Sequence, residues 1–194
     1  MIVTIEGVSS SGRDIVIRAT DESVADWIAD LDIEPAEFYH AGQAGNCYEA
    51  SLILLMHATR HEQFEKDQVR LCHGVANMLT GGRGVHAWVE FLHDDEWWAI
   101  DVSFVGAPIR VSTQEEFYKG NKIKADCVDY YSPLEIVRLA DLHGEKLHCG
   151  PWREPRDTEH DEVFTFEFVL CSKIYRDGMI LGSSPQSQAA GGVA

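Results

Sequence analysis

The sequence predicts an α+β fold, and three observations predict it. Residues 47–62, CYEASLILLMHATRHE, put Tyr48, Ala50, Leu52, Ile53, Leu54, Leu55, Met56 and Ala58 on nearly every face of a helix, the mark of a helix buried in a core. Runs rich in Val, Trp, Phe and Ile follow at 69–77, 84–92 and 97–104, with short polar turns between them. Helices and strands do not alternate regularly, so the sheet should be mostly antiparallel.

The remaining elements follow from local signals. Residues 1–8 and 14–19 read as two short strands around the turn Ser9-Ser10-Ser11-Gly12. Asp21 has the character of an N-cap for a helix through about Leu31, with Val24, Trp27, Ile28 and Leu31 on one stripe. Residues 32–46 hold Pro35 and two glycines and read mostly as loop. Beyond the three central strands, a short helix is expected near 113–118 and a strand near 124–131. A helix over 133–143 capped by Ser132 follows, then an alternating strand over 163–175. The length of 194 residues suits one domain, assigned to 1–181, with a flexible tail at 182–194.

Composition narrows the partners. Thirty-two acidic residues against 16 basic ones give a formal charge of −16. Such a field repels phosphate backbones and anionic lipid, which argues against nucleic-acid and membrane-surface binding and favours neutral or basic partners. Much of it is simply a solvated surface. No apolar run approaches the ~20 residues that span a bilayer, and the N-terminus lacks a signal-peptide pattern, so the expected compartment is the cytoplasm. The five cysteines form no CxxC pair, which speaks for free thiols rather than a disulfide framework or zinc ribbon.

One of those thiols stands in a reactive setting. Cys47 follows the Gly-rich stretch GQAGN and opens the apolar helix, where the helix dipole and unpaired backbone N–H groups favour a thiolate and can hold an oxyanion. His86 and Asp101 acquire a shared geometry from the turn His93-Asp94-Asp95-Glu96. A loop centred between Asp94 and Asp95 sets Leu92 opposite Trp97, and Asp101 then lies diagonally across from His86 on the same face. Diagonal neighbours are about 7–8 Å apart at the backbone, within reach of a side-chain hydrogen bond. That register also gathers Val85, Ala87, Val89, Phe91, Trp98, Ile100, Val102 and Phe104 on an apolar face. His86, Trp88, Glu90, Trp97, Ala99, Asp101 and Ser103 fall on the other, which has the makeup of a cleft wall with Trp88 and Trp97 as substrate-binding aromatics. A helix-opening Cys with a His–Asp pair is the set needed for nucleophilic acyl transfer.

The order of a Cys at a helix start, a His within HAWVEF and an Asp within WWAIDVS resembles the transglutaminase-like branch of the papain-fold enzymes. LCHGVAN, HAWVEF and WWAIDVS are similar to three strands of that branch, whose members include bacterial leader peptidases; the resemblance spans residues 42–104. It implies a papain-like fold in which the Cys helix packs on a mostly antiparallel sheet. It also implies Cys47 as nucleophile, His86 as general base and then acid, and Asp101 as the group orienting His86. Papain-like enzymes use a Gln upstream of the Cys in the oxyanion hole, and Gln43, four residues before Cys47, and Asn46 are the local candidates.

The other polar clusters are weaker. His57 and His61 are spaced like zinc ligands, but HATRH lacks the glutamate of HExxH. Neither Cys72-His73 nor His148-Cys149 has a matching second pair. The expected function is therefore thiol-dependent acyl transfer on an amide, a cysteine peptidase or amidase acting on a protein or peptide, with no metal or organic cofactor. An amine acceptor would make it a transglutaminase, and water acting on glutamine a deamidase. From a different class comes a non-catalytic acidic binding protein on a degenerate enzyme fold, holding a basic partner.

Overall fold

A computed structural model describes residues 2–9, 12–30, 33, 47–59, 65, 67–77, 81–102, 108–143 and 151–158. Their elements in chain order are β1 (Val3–Val8), β2 (Asp14–Ala19), α1 (Glu22–Asp30), α2 (Cys47–Ala58), β3 (Val69–Asn77), β4 (Arg83–His93), β5 (Glu96–Asp101), β6 (Ile109–Thr113), α3 (Gln114–Gly120), a 3-10 turn (Ala125–Cys127), β7 (Asp129–Tyr131) and α4 (Pro133–His143). The strands form one sheet in the order β1-β2-β6-β5-β4-β3-β7. Every neighbouring pair is antiparallel except β2 and β6, which run parallel. This is the α+β class that the order of elements predicts. No helix among the described residues is long and apolar enough to cross a membrane.

Local chemistry explains most boundaries. Asp21 caps α1, its Oδ1 accepting from the backbone N–H of Ser23 at 2.9 Å and of Val24 at 3.3 Å. Ser132 and Glu135 make a reciprocal capping box at α4: the Ser132 N–H donates to Glu135 Oε2 at 2.8 Å, and the Glu135 N–H donates to Ser132 Oγ at 3.3 Å. Thr113 caps α3 through the Glu116 N–H. Asp94 and Asp95 take φ of 50° and 62°, so the β4–β5 connection is a two-residue turn of the mirrored type that matches strand twist.

Several expectations shift. Strand β5 stops at Asp101, while the stretch 103–107, with Ser103 and Phe104, lies outside the described residues. The strand expected near 124–131 contracts to β7, with the 3-10 turn before it. Strand β6 was not anticipated: IRVST is short, and its alternation becomes informative only once Ile109 and Val111 pack in the core. Helix α2 is not buried all round, since Leu52 and Ile53 are half-buried and Met56 is exposed. The strand expected at 163–175 and the tail at 182–194 lie outside the described residues.

Two cores sandwich the sheet. On one face Ile17, Leu71, Val89, Phe91 and Ile100 meet Val24 and Ile28 of α1, Leu54 and Leu55 of α2 and Ile136 of α4. On the other, Cys72, Trp88 and Ala99 lie under Phe117 and Tyr118 of α3, with Ile123 and Val128. Gly74 lets this second layer close, because a Cβ there would meet Trp88 Cη2 at 3.0 Å and Val128 Cγ2 at 3.4 Å. The Trp88 indole cannot retreat, being tied by its N–H to Glu90 Oε1 at 2.9 Å. Gly74→Ala is therefore expected to cost about 1–3 kcal/mol of stability, the usual range for overpacking. Urea unfolding midpoints at unchanged slope would read it, and a loss below about 0.5 kcal/mol would show the indole to be freer than its contacts imply.

Candidate functional site

The site grows from the hairpin register. Strand β4 pairs β5 with Val89 opposite Ile100, Phe91 opposite Trp98 and Leu92 opposite Trp97, as the turn at Asp94-Asp95 predicts. Val85, Ala87, Val89, Phe91, Trp98, Ile100 and Val102 are all buried. His86 and Asp101 meet: His86 Nε2 lies 3.2 Å from Asp101 Oδ2. Both side chains are buried, at 3% and 0% exposure. The sequence parity thus carries through to a formed contact.

Cys47 is the first residue of α2 and packs with Val75, Val85 and Ala87, the last two flanking His86 on β4. Its thiol lies near enough to the His86 ring to favour the charged imidazole. Burial works against the charged imidazole. The Asp101 carboxylate, through its charge and its hydrogen bond, and then the Cys47 thiol, outweigh it and push His86 up to about 10. The ring is thus held as an imidazolium at neutral pH, between a carboxylate and a sulfur.

Asp101 has a second cation that the sequence reading missed. Arg110, directly opposite it on β6, donates from its guanidinium to the same Oδ2 that faces His86. The available signal was the alternation Ile109-Arg110-Val111-Ser112, which sends Arg110 to the His86 face once a strand is assumed there.

Trp88, expected from the hairpin register to line a cleft beside the pair, is covered. Trp88 stacks on His86, with ring centroids 6.1 Å apart, and is fully buried under Phe117 and Tyr118. It backs the imidazole rather than lining an opening. Trp97 shares the face but sits four residues before Asp101 on β5, where the Arg70 guanidinium covers its ring at 3.8 Å. It is remote from His86. Gln43 and Asn46 lie outside the described residues.

Two further polar groups belong to this neighbourhood. Glu90 is fully buried and accepts from Trp88 Nε1 at 2.9 Å, Tyr118 Oη at 2.7 Å, Gln114 Nε2 at 2.8 Å and Arg70 Nε at 2.9 Å. Burial, with the nearby Cys72 and Glu90, raises the Tyr118 phenol, so it stays a donor. On the other side of the sheet, His73 sits among the rings of Tyr48, Tyr131 and Trp152, at 4.8, 4.9 and 4.7 Å. Neither of its nitrogens has a hydrogen-bond partner among the described residues. Burial, and then the charges of His86 and Arg153, lower its pKa to about 3.

That imidazole makes the fold acid-sensitive. Unfolded, His73 takes a proton near its ordinary 6.5; folded, it resists until about 3. Between those values the unfolded chain binds more protons, so stability falls as pH falls. By pH 5 the loss is about 2 kcal/mol, from about 1.4 kcal/mol per pH unit. His86 has the opposite sign: its contribution is complete below 6.5 and is lost as pH rises towards about 10. The expected result is that His73→Phe flattens the fall in melting temperature between pH 7 and pH 5. An unchanged fall would assign the acid sensitivity to other groups.

No protein-family model, no curated protein and no solved structure matches this chain.

Proposed function

We propose that the protein is a thiol-dependent acyl-transfer enzyme acting on amides, a cysteine peptidase or amidase of papain-like, transglutaminase-like design. One observation carries the reading: a buried His86–Asp101 pair at 3.2 Å with the helix-opening Cys47 packed on Val85 and Ala87, the residues that flank His86.

The chemistry runs through this chain's own atoms. The imidazolium beside the sulfur favours a thiolate, which attacks the amide carbonyl carbon and forms the C–S bond. Because Asp101 holds Nε2, the imidazole works on the sulfur side through Nδ1. It gives its proton to the leaving nitrogen as the C–N bond breaks. Water then attacks the thioester while His86 takes a proton, and cleavage of the C–S bond restores thiolate and imidazolium. Backbone N–H groups at the start of α2 are suited to the oxyanion, with Gln43 or Asn46 as side-chain donors. An amine in place of water would give transglutamination, and a glutamine side chain as substrate gives deamidation; the triad serves all three.

A second reading is a binding protein on an enzyme-like frame. The observation that favours it is burial: Cys47 is 6% exposed and His86 and Asp101 are each 2% exposed. Alkylation separates the two. A catalytic thiol should take up iodoacetamide at neutral pH stoichiometrically and well ahead of Cys72, which is buried and pushed well above the usual thiol range by that burial and by Glu90. Equal, slow labelling of both would favour the binding protein.

A further inference from the structure

The face of the sheet that carries His86 and Asp101 continues across β6 to β2, and there it opens. A pocket of about 270 Å³ lies between these strands and α3, lined among others by Arg18, Thr20, Arg110, Ser112, Glu116 and Asn121. Arg18 and Arg110 are direct partners in the parallel β2–β6 ladder, on strands about 4.8 Å apart. Like charges directly opposite one another on neighbouring strands are destabilising. In a chain of net charge −16, two arginines at partnered positions lining one pocket therefore call for an explanation.

Arg110 is answered by Asp101. Arg18 makes no ion pair with any carboxylate among the described residues. Around them the hydroxyls of Thr20 and Ser112 and the Asn121 side chain add polar groups, while Phe117 and Ala19 contribute apolar wall. Asn121 is already committed in part, its Nδ2 donating to the Phe117 carbonyl at 2.9 Å.

We propose that this pocket binds a carboxylate group, held by Arg18 with support from Arg110. Guanidinium is the side chain whose planar fork matches a carboxylate. The charge balance sets the class of anion. Of the charged residues that line the pocket, Arg18 and Arg110 stand against Glu116, which leaves room for one negative charge rather than two. A monoanionic carboxylate with a short apolar stem fits that balance and the Phe117 wall; a phosphate dianion does not.

The pocket shares Arg110 with the Asp101 pair but does not need the thiol, and its test is run on full-length Cys47→Ala protein so that the two readings can fail separately. Sodium butyrate and inorganic phosphate are titrated at low ionic strength while backbone amide shifts are followed by NMR. The expected result is saturable butyrate binding with shifts centred on residues 18–20 and 110–112, and at least about tenfold weakening in the Arg18→Gln variant, as for loss of a charge-assisted hydrogen bond. Arg13→Gln, which removes the same charge from outside the pocket, should leave binding unchanged. Absent or non-saturable butyrate shifts, or equal weakening by both arginine variants, would overturn the site. Tighter binding of phosphate than of butyrate would overturn the carboxylate assignment.

Discussion

Cys47→Ala is expected to abolish turnover, by about a thousandfold or more, while leaving the protein folded. Among the described residues the side chain clusters with Tyr48, Val75, Val85 and Ala87, and losing one sulfur should cost about 1 kcal/mol of stability. His86→Ala should lose nearly as much, because members of a catalytic set act as a unit. Asp101→Asn should lose less, since nucleophile and base remain and only the orientation and charge of the imidazole suffer. It should also lower the pH at which His86 titrates, because the carboxylate is what lifts that group towards 10. Intact-mass trapping of an acyl-enzyme on wild-type protein, absent from the Cys47→Ala variant, provides the direct readout. Full activity in the alanine variant would end the covalent mechanism, and an Asp101→Asn protein with unaltered rate and pH profile would remove Asp101 from it.

Glu90→Ala should be the most destabilising single change on the sheet, at about 3–5 kcal/mol. The carboxylate has no exposed surface, and Trp88, Tyr118, Gln114 and Arg70 all donate to it. Removing it orphans these donors beneath α3 and leaves the partly buried Arg70 guanidinium without its counter-charge. Glu90→Gln should lose less, because one oxygen still accepts while the new amide must face donors. Urea unfolding at constant slope distinguishes these cases. A loss below about 1 kcal/mol for the alanine variant would mean that water reaches the network. Because Trp88 both bonds Glu90 and stacks on His86, any activity lost in Glu90→Gln should come with a changed His86 titration.

The sequence alone determined the heart of this arrangement because the information there is local. Asp94 and Asp95 accept positive φ, so the turn sets the register, and a period of two carries His86 and Asp101 to one face from any register of that parity. Likewise, Asp21 and the Ser132–Glu135 box mark their helix starts within three residues of chain. Only the tertiary structure decided what stands around that pair. Alternation reports which face a side chain takes, not what covers the face, so Trp88 and Glu90 read as a cleft wall until α3 is seen lying over them. Arg110 reaches Asp101 only because β6 inserts between β2 and β5, a non-local pairing that no short pattern encodes. The same insertion sets Arg18 beside Arg110, across 92 residues of chain. Strand partners distant in sequence are chosen by the packing of the whole core, and that choice supplied the second cation of the site and the pocket next to it.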